Sequence, residues 1–135
     1  MVVKLLGIID APGSPVQGFL FIITIDVTID INPETLNLNS MGKWITCYIE
    51  PPEGYSVSDI DVESVLLEGL LEVQHSAVQD GVLMVKFDMQ DLLAYLEFGL
   101  GVTPPEYVTL TVSGELVDGP SFEGTDVIRV IDEGN

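Results

Sequence analysis

The chain has 135 residues, of which 47% are hydrophobic, and this size and composition suit one domain with one core. Four basic and 22 acidic residues give a formal net charge of -18. A charge of this size repels phosphate backbones and anionic membrane surfaces, so nucleic acid is not an expected partner. The single cysteine, Cys47, excludes an internal disulfide and a multi-cysteine metal cluster.

The apolar residues do not form a membrane segment. The longest uninterrupted apolar run extends only from Phe19 to Ile23, far short of the roughly 20 residues that a spanning helix needs. The N-terminal apolar patch is interrupted by Gly7 and stops at Asp10. We therefore predict no membrane insertion and no secretory signal in this sequence.

The N-terminal third predicts two strands. A first strand covers 2–9, a turn rich in Gly and Pro covers 11–15, and a long strand covers 16–31. The two strands either form a hairpin or extend away from each other. Fully extended, the long strand would span roughly 50 Å, well beyond a usual strand. Such a length favours a strand that crosses between two sheets or leaves its own domain.

The rest of the chain alternates strand patterns with clusters of Gly, Pro, Asn and Asp, as is typical of an antiparallel sandwich. A helical period of about 3.6 replaces the period of two over 88–98, with Asp88 as a plausible N-cap. We predict an all-β sandwich with one short helix near 88–98 and an added N-terminal strand pair. Strands are expected at 36–38, 43–50, 58–69, 71–78, 82–88, 107–116 and 125–131.

Five short motifs occur in a fixed order: IDINP at 29–33, LNLNSMG at 36–42, DIDV at 59–62, KFD at 86–88 and GELVDGPSFEGTD at 114–126. With this order the chain resembles, over roughly 29–132, a module of exported and surface proteins of archaea and bacteria that often lies beside dockerin-type modules. The resemblance implies an extracellular or cell-surface, non-catalytic, immunoglobulin-like β-sandwich. It divides the chain into an extension at 1–28, a possible assembly arm, and a sandwich module at 29–135.

Two features depart from that module. Its relatives often carry an aspartate-rich loop that would suit Ca²⁺ before the VLMVKF strand, whereas this chain has HSAVQDG and keeps only Asp80 and Gly81. The second departure is the extension at 1–28, which is more apolar than a linker requires.

Enzyme activity is not expected. His75 is the only histidine, and it lies in a polar segment without a nucleophile motif. Cys47 alternates with Ile45 and Ile49, so it is expected inside the core as a small hydrophobic residue. Pairs of carboxylates are easily drawn from 22 acids and carry no information about catalysis.

Two kinds of ligand are considered. Asp59, Asp61 and Glu63 alternate along an extended segment and could share a Ca²⁺ ion, with Asp26, Asp30 and Asp126 as less specific alternatives. The alternative is a solvated turn that Asp59 caps. Trp44 and Tyr48 alternate on the outer side of a strand, where they could stack against a sugar or cover a neighbouring loop. No cofactor is required, and calcium is possible.

The leading functional hypothesis is self-assembly. Apolar side chains at five consecutive positions cannot all face one core, and each one left in water forgoes about 1.5–3 kcal/mol. Either these residues extend a sheet of their own domain, or they complete the sheet of a neighbouring copy through strand pairing or donation. We expect the second arrangement, in a structural subunit that assembles with itself into a filament or surface layer. The alternative is a monomeric adhesion or carbohydrate-binding module. The predicted assembly residues are Phe19, Leu20, Phe21, Ile22, Ile23, Ile25 and Val27.

Overall fold

The computed structural model describes residues 3–10 and 19–134, with side chains from residue 24 onward. The predicted turn at 11–15 lies outside these residues. A helix, α1 (Met89–Ala94), continues into a π-helical turn (Tyr95–Gly99), and a 3-10 turn covers Val57–Asp59. The described strands are β1 (Val3–Asp10), β2 (Phe19–Asp26), β3 (Thr28–Asn32), β4 (Thr35–Asn37), β5 (Trp44–Glu50), β6 (Ile60–Leu67), β7 (Leu71–Glu72), β8 (His75–Gln79), β9 (Val82–Asp88), β10 (Glu106–Leu116) and β11 (Ser121–Ile131).

The strands form two sheets. The first has the order β1-β2-β11-β10-β6-β7, with β4 also paired to β11, and the second has the order β3-β5-β9-β8. Neighbouring strands are antiparallel except for the pairs that β11 makes with β2 and with β4, which are parallel. The predicted all-β sandwich with one short helix is therefore confirmed.

The core lies between the sheets and follows the predicted alternation. On β5, Ile45, Cys47 and Ile49 point inward, and each is at most 1% exposed. Both sheets and the helix contribute to one cluster, to which α1 adds Leu92 and Leu93. The N-cap prediction is also confirmed, because the Asp88 Oδ1 accepts a hydrogen bond from the Asp91 N–H at 3.0 Å.

The predicted long strand is two strands in different sheets. Residues 24–26 of β2 pair with 121–123 of β11, and the Val27 N–H then donates to the Glu123 carbonyl at 3.0 Å. One residue later, β3 pairs with β5 in the second sheet. The chain therefore crosses from one sheet to the other at Val27, which was one of the two predicted alternatives. Residues 16–18 lie outside the described part of the chain.

Gly124 makes this crossing possible. A Cβ atom at this position would lie 2.5 Å from the Val27 carbonyl oxygen and would also collide with the Ile29 Cγ1. Only a residue without a side chain lets β11 pass so close to the crossing strand.

Besides the long strand and small shifts at other strand ends, two predicted strands differ from the structure. The last strand begins at Ser121 rather than Thr125, because pairing with β10 on one side and β2 on the other holds 121–124 extended despite its turn-like composition. The predicted strand at 71–78 is split into β7 and β8, which belong to different sheets. Between them the Gln74 N–H donates to the Lys86 carbonyl at 2.8 Å, which starts the pairing with β9.

Candidate functional site

The N-terminal hairpin extends beyond the sandwich. β1 and β2 pair antiparallel from Val3↔Ile25 to Asp10↔Phe19, whereas β11 starts to pair with β2 only at Thr24. Among the described strands, residues 19–23 thus pair with β1 alone. We call β1 together with residues 19–23 the N-terminal arm. Of the two predicted arrangements of the N-terminal strands, the structure has the hairpin.

The arm differs in charge from the rest of the chain. Residues 1–23 contain one basic residue, Lys4, and one acidic residue, Asp10, so the net charge of -18 comes entirely from residues 24–135. The strand sequences, VKLLGIID and FLFIITID, are mainly apolar at consecutive positions. Two copies of the protein can therefore approach each other at the arms with less repulsion than at other surfaces.

The predicted assembly residues fall into two groups. Phe19, Leu20, Phe21, Ile22 and Ile23 are in the arm, and their side chains lie outside the described residues. Ile25 and Val27 are 2% and 9% exposed and belong to the core of their own chain. The preceding Thr24 is also buried. Of the predicted assembly residues whose side chains the structure describes, Ile25 and Val27 are therefore not available to a neighbour.

The three residues of the predicted calcium site have different surroundings. Asp59 ends the 3-10 turn, and its Oδ2 accepts a hydrogen bond from the Ser56 N–H at 2.8 Å. Asp61 pairs with Glu115 of β10, after which β6 bulges out of register around Glu63. Within the described residues, no group of three or more His, Cys, Asp or Glu side chains is placed to hold a metal ion. Calcium binding stays a prediction.

The HSAVQDG segment is a hairpin with a tight turn. Gln79 pairs with Val82, and the two residues between them, Asp80 and Gly81, have φ values of 53° and 77°. Positive φ at both central residues is typical of a type I′ turn, for which Asp-Gly is a favoured sequence.

The two candidate sugar-binding aromatics are not equivalent. The rings of Trp44 and His75 are perpendicular with their centroids 4.8 Å apart, and the Lys43 Nζ lies 5.1 Å from the Trp44 ring centroid. Trp44 therefore covers neighbouring side chains. Tyr48 is 38% exposed and free to contact a ligand.

Tyr48 lies in an open depression of about 590 Å³ on the outer face of the second sheet. Tyr48 and Met84, which are paired across β5 and β9, line it together with Asp30, Glu50 and Asp80. Aromatic and thioether surface surrounded by carboxylates can contact the apolar face of a ligand while accepting hydrogen bonds from its polar groups. Carbohydrates, with their hydroxyl groups, and ligands with cationic groups both have such an apolar face beside hydrogen-bond donors.

Sequence reasoning missed this depression because its members come from four separate strands. The alternation does place Asp30, Tyr48 and Met84 on the outward side of their strands. Only the order β3-β5-β9-β8 makes them neighbours, and a single sequence contains no direct record of strand order.

Residues of the five short motifs have structural roles. Asp126 accepts the Ile31 N–H at 2.8 Å, and Gly114 leaves room for the Phe122 ring, which a Cβ atom would approach to 2.7 Å. In the LNLNSMG loop, the Asn37 Nδ2 donates to the Glu133 carbonyl at 3.1 Å. The Gln90 Nε2 donates to the Gly42 carbonyl at 2.8 Å, which ties this loop to α1. These motifs therefore specify the fold rather than a reactive site.

Glu68 joins the helical segment to the first sheet. Its Oε2 accepts the Thr111 N–H at 2.7 Å, and its Oε1 accepts the Tyr95 hydroxyl at 3.1 Å. Burial, with the adjacent Glu68 carboxylate, raises the pKa of the Tyr95 hydroxyl. Like the motif residues, Glu68 holds parts of the fold together.

The thiol of Cys47 lies buried in the core. Burial, with smaller contributions from the negative charges of Asp126 and Asp30, raises its pKa from 9.0 to about 12. Since the thiolate is the reactive form, Cys47 is a core residue and not a nucleophile at neutral pH.

Comparison with protein-family models, with curated proteins and with solved structures gives no match to this chain. Among the described residues, no helix has the length and apolar content to cross a membrane.

Proposed function

We propose that this protein is a non-catalytic structural subunit that self-associates through its N-terminal arm into a filament or surface layer. The observation that carries the proposal is the pairing of residues 19–23 with β1 alone, beyond the start of β11. An isolated two-stranded hairpin is at best marginally stable in water. A second copy that covers the arm would supply the missing apolar contacts.

The distribution of charge also supports association at the N-terminal arm. The arm carries no net charge, whereas residues 24–135 carry all of the -18. Association at the arm keeps the acidic surfaces of two copies apart, which lowers the repulsion between them. A location outside the cell or at its surface is the part of the proposal that comes from the resemblance to surface modules.

The test compares the full chain with a variant lacking residues 1–23. Thr24 and Ile25 are buried, so the truncation ends where the described core begins. Sedimentation and electron microscopy should show oligomers or filaments for the full chain and a folded monomer for the truncated one. A full chain that is monomeric at every concentration, or a truncated chain that still assembles, contradicts the proposal.

The matched control removes a different exposed apolar side chain. Phe98 is 81% exposed and follows α1 in the π-helical turn. Phe98→Ser should leave assembly unchanged, because the arm and not general surface hydrophobicity is the contact. An equal loss of assembly in Phe98→Ser would show non-specific association instead.

A second candidate function is ligand binding at the depression around Tyr48, in a monomeric adhesion or carbohydrate-binding module. One exposed aromatic with the carboxylates of Asp30 and Glu50 nearby supports it. A panel of oligosaccharides tested by calorimetry should then give binding that Tyr48→Ala abolishes and Trp44→Ala, outside the depression, reduces less. Equal effects of the two substitutions would contradict a site at Tyr48.

A further inference from the structure

The edges of the two sheets are protected to different extents. Natural sheets avoid unwanted pairing through short edge strands, charged residues, proline, bulges or a covering segment. At the edge of the first sheet β7 has two residues, and β4, beside β11, has three. At one edge of the second sheet, β3 contains Asp30 and its Ile31 N–H is bound by Asp126. These three strands are poor acceptors for another strand.

The other edge of the second sheet, β8, has none of these protections. Its five residues, HSAVQ, include no proline, lysine, aspartate or glutamate, and its pairing with β9 is regular throughout. All five residues are exposed. In the described part of the chain, no strand pairs with the outer edge of β8.

Val78 is an apolar side chain left uncovered at this edge. It pairs with the buried Leu83, so it lies on the core-facing side of the sheet, yet it is 60% exposed. In an antiparallel ladder, alternate residues direct their N–H and C=O groups away from the partner. β8 therefore offers both unpaired backbone groups and an uncovered apolar side chain.

β8 and the arm lie on opposite sides of the sandwich. In the second sheet, the edge strand β3 packs across β11 of the first sheet. In the first sheet, β2 and then β1 follow β11 on one side, so the arm lies at the β3 end of the sandwich. β8 follows β7 after two residues, at the other end of the first sheet. A contact between the arm of one copy and β8 of the next is thus head-to-tail, and contacts of this kind produce a filament unless they close into a ring.

We infer that β8 is the acceptor edge for the N-terminal arm of a second copy of this chain, with β1 adding to the second sheet as a fifth strand. This inference rests on the proposed function and names the surface that the arm meets. β8 is an unprotected edge, and β1 is the outermost described strand of the first sheet, with one charged residue of each sign and a register shift between Leu5 and Gly7. In a chain of net charge -18 the arm is neutral and β8 has no acidic residue. Backbone pairing would give affinity, and the apolar arm would cover Val78.

The experiment uses two full-length variants, each with one contact blocked. Val78→Lys places a charge on the core-facing side of the acceptor edge, and Leu70→Lys, at a position 64% exposed in the turn after β6, is its charge-matched control. Ile8→Pro blocks the arm, because proline has no N–H to donate to a neighbouring strand. If its nitrogen faces the second copy, pairing between copies is disrupted, and if it faces β2, the hairpin itself is disrupted.

Sedimentation should find each blocked variant monomeric alone and the Leu70→Lys control assembled like the parent chain. Mixed in equal amounts, Val78→Lys supplies a free arm and Ile8→Pro supplies a free β8, so the mixture should form dimers of one copy of each and nothing larger. Circular dichroism confirms that both variants are folded.

The possible failures are distinguishable. If the parent chain is monomeric, or if Ile8→Pro assembles alone, the arm does not drive assembly and the proposed function is overturned. If Ile8→Pro is monomeric but Val78→Lys still assembles, the arm binds elsewhere and only the assignment of β8 is overturned. A mixture that stays monomeric while the parent chain assembles also overturns that assignment.

Discussion

The Asp126 carboxylate joins the two sheets by accepting the N–H of Ile31, at 2.8 Å from its Oδ2. Ile31 belongs to β3, the edge strand of the second sheet, and Asp126 belongs to β11 in the first. The other oxygen, Oδ1, accepts the Val127 N–H at 2.9 Å. A residue considered from the sequence as a calcium ligand thus satisfies two backbone donors and closes an edge against strand pairing.

Asp126→Ala removes both acceptors, so we expect it to lower the free energy of unfolding by about 1–3 kcal/mol, the cost of an unsatisfied donor. Asp126→Asn keeps one acceptor oxygen and should cost less. Urea denaturation monitored by circular dichroism measures both, with Thr125→Ala, at the exposed neighbouring position, as control. Equal stability of the alanine variant and the parent would show that water replaces the carboxylate without loss.

Gly124→Ala should destabilise the fold through steric conflict. The new Cβ atom would lie 2.5 Å from the Val27 carbonyl oxygen, which is backbone and cannot rotate away. Overpacking of this kind typically costs about 1–3 kcal/mol, measured as a lower midpoint of thermal or urea unfolding. Gly134→Ala is the control, because a Cβ atom at Gly134 would meet no other atom within 4 Å. An unchanged midpoint for Gly124→Ala would mean that β11 shifts freely beneath the crossing strand.

The crossing at Val27 shows what the sequence can and cannot predict. Ile25, Val27 and Ile29 alternate without interruption and are all buried, although Ile25 belongs to the first sheet and Ile29 to the second. Both sheets face the same core, so a strand that changes sheets keeps the same pattern as one that does not. Alternation therefore predicts burial well and sheet membership poorly.

The arm and the β8 edge also differ in how well the sequence predicts them. The apolar run at 19–23 is visible in the sequence because it breaks the alternation. The open edge at β8 is not, since a strand is an edge only by its place in the sheet order, which depends on contacts distant in sequence. The sequence also predicts a single strand over 71–78, so it does not predict β8 as a separate strand. The change of sheet at residues 73–74 has no local signal in the sequence.

Cys47 should resist thiol reagents in the folded protein and make stability fall at alkaline pH. Its pKa is about 12 when folded against 9.0 as the reference for an exposed thiol. Between these values the unfolded chain releases a proton that the folded chain keeps, so unfolding becomes more favourable as pH rises from 9 to about 12.

Labelling at pH 8 should thus be slow in buffer and complete in urea, and the alkaline loss of stability should be smaller in Cys47→Ala. Parallel urea titrations of the parent and the variant at several pH values isolate the contribution of the thiol from those of Lys and Tyr. Rapid native labelling would place Cys47 outside the core.

Assembly through the arm should strengthen with ionic strength. Each copy carries a net charge of -18, so copies repel one another at low salt, and the Debye length falls from about 30 Å at 0.01 M to about 8 Å at 0.15 M salt. Screening removes this repulsion and leaves apolar burial and backbone pairing, which depend little on such salt concentrations. Sedimentation at several NaCl concentrations should show a several-fold increase in the association constant of the parent chain and no response from Ile8→Pro, which stays monomeric. An association constant that falls with salt would contradict a neutral contact and indicate that ion pairs between copies hold the assembly together.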